Sequence, residues 1–119
     1  GRLFEGTPAQ MHESLSALAA LPGATRVCCT HEYTLSNLRF AVAVEPDNTD
    51  LRDYQARCEQ LRASQQPTLP SSIELERRIN PFLRTAVTGV AAAARRHAPD
   101  TGPDAVSVLA TLREWKNVF

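Results

Sequence analysis

Apolar residues recur at helical spacing along most of this chain and at strand spacing in one short stretch. Met11, Leu15 and Leu18 fall at i, i+4 and i+7 and give a helix one apolar face. Thr7 before Pro8, with Gln10 three residues past the cap, is the pattern of a capping box, and Pro22-Gly23 closes that segment. Leu35, Leu38, Val42 and the neighbouring alanines predict a helix from Thr34, its expected N-cap, to about Val44, stopped by Pro46. Leu51, Tyr54, Cys58 and Leu61 predict a third helix from about Asp50 to Ala63, capped from within Asp47 to Thr49. After a proline-bearing connector, Ser71 and Glu74 read as a capping box opening a short helix to about Ile79, and Pro81 breaks or restarts the chain. The alanine-rich run from Arg84 to Ala98 predicts a helix with Val87, Val90, Ala91 and Ala94 inward and Thr88-Gly89 weakening its middle. Asp104 caps a final helix with Ala105, Val108, Leu109, Leu112 and Trp115 or Phe119 on one stripe. Only Thr25 to Cys29, rich in β-branched and small apolar residues, reads as a buried strand. The expectation is a mostly α chain with one or two short strands.

Composition narrows the function classes. The 119 residues suffice for one small domain with a core. The formal net charge is zero, which leaves no bulk electrostatic footprint, so neither nucleic acid nor a membrane is expected as a partner. No run is long or apolar enough to span a bilayer. Of three cysteines, Cys28 and Cys29 are neighbours on the expected strand and point to opposite faces, and Cys58 reads as a small core residue. The odd count and the absence of a leader favour a reducing, cytoplasmic setting.

Candidate chemistry gathers in two places. His31 stands at the C-terminal tip of the expected strand, where α/β folds gather ligands and metals. Its imidazole can ligate a metal, with Glu32 or a backbone carbonyl orienting the second nitrogen. A polar strand end held by local hydrogen bonds is the plainer reading, and position by itself favours it. On the last helix Arg113 and Lys116 lie three apart and share a face, which spacing by itself does not lift above ordinary surface charge. His12 and the run Arg95-Arg96-His97 read as solvated surface.

A set of ordered blocks gives these positions a context. Thr30 to Ala41 (Thr-His-Glu-Tyr-Thr-Leu-Ser-Asn-Leu-Arg-Phe-Ala) followed by Val-Glu-Pro-Asp-Asn resembles glyoxalase II, the hydroxyacylglutathione hydrolases of the metallo-β-lactamase fold. Four further blocks agree in order: Gly1 to Thr7, Pro67 to Ser71, Asn80 to Arg84, and the closing Leu112-Arg113-Glu114-Trp115-Lys116. The match runs nearly end to end and is weakest across Thr85 to Pro103. In the family, the front half carries a Thr-His-x-His-x-Asp-His metal motif, a further histidine and a bridging aspartate. No such spacing occurs in this sequence, which therefore reads as the back portion of a larger enzyme, cut just after the bridging aspartate.

The resemblance implies a division at residue 32. Residues 1–32 would be the tail of an αββα metallo-β-lactamase domain, and residues 33–119 a helical glutathione-binding domain. His31 matches a ligand to the second of two metal ions, zinc before iron or manganese, which hold a bridging hydroxide in the complete enzyme. Tyr33 matches a tyrosine that bonds the glutathione backbone, and Arg113 and Lys116 match a basic pair gripping the glycine carboxylate of glutathione. Arg2 falls where the family has lysine or arginine and can donate to glutathione, whereas Phe4 stands at a tyrosine-or-phenylalanine position and carries no hydroxyl. Thr30 replaces a glycine, and a β-branched residue keeps φ negative there. The implied reaction is hydrolysis of S-D-lactoylglutathione to glutathione and D-lactate, and the missing ligands imply that this chain alone is inactive. The competing readings are a helical interaction module without chemistry and another hydrolase of the same fold. Deprived of front-half strands, the strand at Thr25 to Cys29 is expected to leave the chain marginally stable, self-associated or next to something that covers it.

Overall fold

The computed structural model describes residues 2–119; Gly1, the first residue of one block above, lies outside them. Six helices and one two-stranded sheet follow in the order α1 (Pro8–Ala19), β1 (Arg26–Val27), α2 (Thr34–Val44), α3 (Thr49–Ala63), β2 (Ser71–Ser72), α4 (Ile73–Ile79), a 3-10 turn (Pro81–Leu83), α5 (Thr88–His97) and α6 (Ala105–Val118). The particle measures 43 × 26 × 25 Å.

Helix α2 sits at the centre because it buries opposite faces. Leu38 and Ala41 join Leu51 and Cys58 of α3 and Ile79 of α4 in one cluster, with Leu35, Val42, Tyr54 and Leu75 against it. Phe40 and Val44 point the other way, into a second cluster with Val90, Ala91, Ala93 and Ala94 of α5 and Val108 and Leu112 of α6. The heptad-like spacing reveals only the first stripe; Phe40 and Val44 are buried as well. A helix apolar on two faces belongs in an interior rather than on a surface.

Several caps form as read. Thr7 and Gln10 close the capping box of α1, Asn48 caps α3 by accepting from the Leu51 N–H, and Asp104 caps α6 by accepting from the Ser107 N–H. Others move, each for a local reason. Thr34 is the first helical residue of α2 and not its cap, because its hydroxyl is taken by Thr68; the cap position falls to Tyr33, with no side-chain bond. The cap of α4 is Ser72, accepting from the Leu75 N–H, while the Ser71 hydroxyl bonds Glu76 at 2.8 Å. Helix α5 starts at Thr88, not Arg84. The residues after Pro81 form a 3-10 turn instead, and the Arg84 side chain reaches back to pair with Glu45 at 2.7 Å and to bond the Arg77 carbonyl at 3.0 Å.

Several expectations about the amino-terminal part are corrected. The strand is two residues long, and Cys28 and Cys29 lie beyond it, exposed. One of its edges is paired: β2 runs antiparallel to it, Arg26 opposite Ser72 and Val27 opposite Ser71, and the Ile73 and Glu74 N–H groups extend the ladder to Thr25 and Gly23, while among the described residues its other edge has no strand against it. In α1, Leu18 is 52% exposed, and the side turned inward carries Pro8, Met11, His12, Leu15 and Ala19. His12 is therefore half-buried, beside Phe82, Leu83 and Thr85, and not free surface. Helix α1 packs along α6 and is tied at its C-terminal end by Arg77 of α4, whose guanidinium donates to the carbonyls of Ala19 and Leu21. The Ala19 carbonyl is one that the helix end leaves without an intrahelical partner, and Leu21 lies just past the cap.

Helix α3 ends in a Schellman motif built on the wrong residue type. The Gln66 N–H bonds the Leu61 carbonyl at 2.8 Å and the Gln65 N–H bonds the Arg62 carbonyl at 3.1 Å, which requires Gln65 to adopt φ 58°. A glutamine there carries the left-handed penalty that glycine escapes. Gln65→Gly is expected to stabilise the fold by roughly 0.5–1 kcal/mol, read as a higher urea midpoint at unchanged m-value.

Candidate functional site

The residues singled out in the sequence come together in two groups. In the loop between β1 and α2, His31 and Tyr33 stack, ring centroids 4.9 Å apart and planes 13° from parallel. Both are exposed, Tyr33 at 61%. Thr30 lies outside the left-handed region; among the described residues only Gln65 among non-glycines has positive φ.

The loop is held by Glu32, whose side chain turns away from the two rings. Its carboxylate accepts from the Thr68 N–H at 3.0 Å and from the Thr68 hydroxyl, and that hydroxyl lies 2.6 Å from the Thr34 hydroxyl at the start of α2. The bonds from Thr68 hold the Glu32 carboxyl below the usual glutamate range. Thr68 itself is buried. The connector after α3 thus fixes the segment that presents His31 and Tyr33.

The second group sits on α6. Arg113 is only 7% exposed, and its Nε has no hydrogen-bond partner among the described residues. Its guanidinium carbon lies 4.9 Å from the centroid of the Phe82 ring, and one nitrogen reaches Asn117 at a long 3.4 Å. Burial, with the charge of Arg2 adding to it, lowers the proton affinity of Arg113. Lys116 is half-buried, its ammonium 5.8 Å from the Phe40 centroid. Arg113 is accordingly an interior cation and not the surface charge its spacing suggests. Among the described residues the one ion pair is Glu45 with Arg84, so the three basic candidates Arg2, Arg113 and Lys116 have no carboxylate in contact.

A cavity of about 180 Å³ opens beside Arg113, lined also by Thr34, Asn37, Tyr54, Glu76, Asn80 and Phe82; His31, Tyr33 and Lys116 do not line it. Burial raises the proton affinity of the Tyr54 hydroxyl, so it enters this cavity neutral. Sequence reasoning missed Thr68, Tyr54 and Phe82 as contributors; Thr68 and Phe82 fall in blocks that carry the resemblance, while Tyr54 reads only as core. A larger groove, about 490 Å³, is lined by Glu45, Asp47, Asp50, Arg78, Arg84 and Arg96 and contains none of the candidate residues. Among the described residues no three His, Cys, Asp or Glu side chains group closely enough to hold a metal ion, and no helix is long and apolar enough to cross a membrane.

The family described as hydroxyacylglutathione hydrolase C-terminus matches residues 32–119. Three proteins named hydroxyacylglutathione hydrolase, from Albidiferax ferrireducens, Ectopseudomonas mendocina and Pseudomonas aeruginosa, are 63%, 60% and 56% identical to the chain over its whole length. The chain spans 46% of each of them, about half the length of the relatives it matches.

The loop anchor has a pH signature. Because the folded value of Glu32 lies below the ordinary glutamate value of about 4.3, its contribution is complete above that value. It is lost as pH falls through the lower folded value. Protection of the Thr68 amide against hydrogen exchange is expected to drop across that acid window, and Glu32→Gln to remove the pH dependence and leave protection low throughout.

Proposed function

The chain belongs to the hydroxyacylglutathione hydrolase family, and from that premise we propose that it is the substrate-binding part of a hydrolase that cleaves S-D-lactoylglutathione to glutathione and D-lactate. The observation that carries this reading is the buried Arg113 guanidinium with its unpartnered Nε beside Lys116 and Arg2. A buried cation without a counter-charge is costly, and a carboxylate arriving with the substrate supplies what is missing. Arg113 offers planar donors and Lys116 a point charge, a combination suited to one carboxylate. The glycine carboxylate of glutathione is the anion proposed, with Arg2 donating to the same tripeptide and Tyr33 bonding its backbone.

In this reading the division near residue 32 separates two roles. Residues 1–32 end at His31 and belong with the metallo-β-lactamase portion of the same polypeptide; residues 33–119 hold glutathione. The start of the family match at residue 32 supports that boundary. The family's chemistry uses two metal ions, zinc in the first instance, to supply hydroxide near neutral pH. His31 is one imidazole, whereas a catalytic zinc takes three protein ligands. The residues described here therefore do not fit a metal by themselves, and the contribution proposed for this chain is binding and orientation of the thioester. The hydrolase in this setting acts in the cytoplasm.

Two experiments test the proposal. In the full-length polypeptide, Lys116→Ala and Arg113→Ala are expected to raise KM for S-D-lactoylglutathione by about one to two orders of magnitude with little change in kcat. Each removes a charge-assisted bond worth roughly 1.5–3 kcal/mol, made equally before and in the transition state. His31→Ala is expected to act on kcat instead. Arg113→Ala lowering kcat at constant KM would remove Arg113 from the binding role, and its Tm should be read alongside because the side chain is buried. The 119-residue chain on its own, titrated with zinc, is expected to bind weakly and to hydrolyse no thioester; measurable turnover would overturn the division of roles.

A further inference from the structure

The two cations proposed to grip the substrate are each set against an aromatic ring, and the two rings are stacked on each other. Phe40 of α2 and Phe82 of the 3-10 turn lie 5.8 Å apart between centroids, 14° from parallel. Arg113 is 4.9 Å from the centroid of Phe82, and Lys116 is 5.8 Å from that of Phe40. Both distances fall within the roughly 6 Å at which a ring face attracts a cation. Phe40 is fixed in the core at 1% exposure and is further held edge-on by Trp115, at 5.4 Å. The stacked pair is therefore a rigid shelf bearing both charges.

We infer that Phe82, seated on Phe40, is the positioning residue that holds Arg113 ready for the substrate carboxylate; this rests on the proposed binding role of Arg113. A carboxylate partner from the chain would hold the guanidinium equally well but would neutralise it and occupy its donors. A ring face holds the cation from above or below and leaves the in-plane N–H groups free. The unpartnered Nε and the long bond to Asn117 are what such an arrangement leaves behind. The ring contact offsets part of the burial cost of the charge in the unliganded state, so Arg113 is neither quenched nor loose before substrate arrives.

The rival explanation is that Phe82 is only a core side chain, and the test separates the two in the full-length polypeptide. Phe82→Leu keeps an apolar side chain but removes the ring. It is expected to raise KM for S-D-lactoylglutathione, and Kd for glutathione by calorimetry, by about two- to thirtyfold at unchanged kcat. Phe82→Tyr is expected to restore both. In an Arg113→Ala background, Phe82→Leu is expected to add nothing to KM. An equal rise with and without Arg113, or a lower Tm at unchanged KM and Kd, would overturn the inference while leaving the binding role intact. An Arg113→Ala protein with wild-type KM would overturn the binding role, and the inference with it. Should Phe82→Leu fail to fold, the Arg113 Hε resonance of the wild-type protein decides: a ring-current-shifted signal that moves on adding glutathione supports the inference, and one at a random-coil position or unmoved by glutathione overturns it.

Discussion

Phe40 is the contact on which the two halves of the molecule agree. It belongs to α2, whose Leu38 and Ala41 face α3 and α4, yet its ring lies, with Val44, in the cluster made by α5 and α6. Phe82 stacks on one side of it, and Trp115 and Phe119 meet it edge-on at 5.4 Å each. Edge and offset contacts of this kind add roughly 0.5–1.5 kcal/mol per pair beyond area burial, so the ring is over-determined. Whatever orders Phe40 also orders the 3-10 turn and the last turns of α6, the segments that carry Phe82, Arg113 and Lys116.

The electrostatics of the site follow from that placement. Lys116 lies in the last turn of α6, where the helix macrodipole favours a cation. Arg113 sits one turn earlier and deeper, with Arg2 close enough to oppose its charge. The chain is neutral as a whole, yet here three positive groups gather without a carboxylate of its own in contact among the described residues. A local imbalance of this sort is what an anionic ligand reads, and it is invisible in the net charge.

Most of the helical framework was legible because period and punctuation agree: Thr7-Pro8, Asn48 and Asp104 start helices, and Pro46 stops one. The misreadings come from side chains with a distant partner. Thr34 has the chemistry of a cap but spends its hydroxyl on Thr68, and Arg84 has high helix propensity but turns to Glu45. Val27 looked unpaired because its partner, Ser71, lies in a polar connector that carries no strand signal. The candidate residues themselves were found through ordered blocks of resemblance, since spacing gave Arg113 and Lys116 no more than ordinary surface status. Burial of Arg113, at a position that reads as solvent-facing, depends on the aromatic shelf and could not be seen along the chain.

The Glu32–Thr68 bond has a consequence for the order in which the molecule assembles. Its partners are 36 residues apart, with the whole of α2 and α3 between them. Closing a loop of that length carries an entropy cost that grows with its logarithm. The cost is met more easily once the intervening helices have formed as a local hairpin. The segment bearing His31 and Tyr33 is therefore expected to form after the helical pair it rests on and to open before it on unfolding.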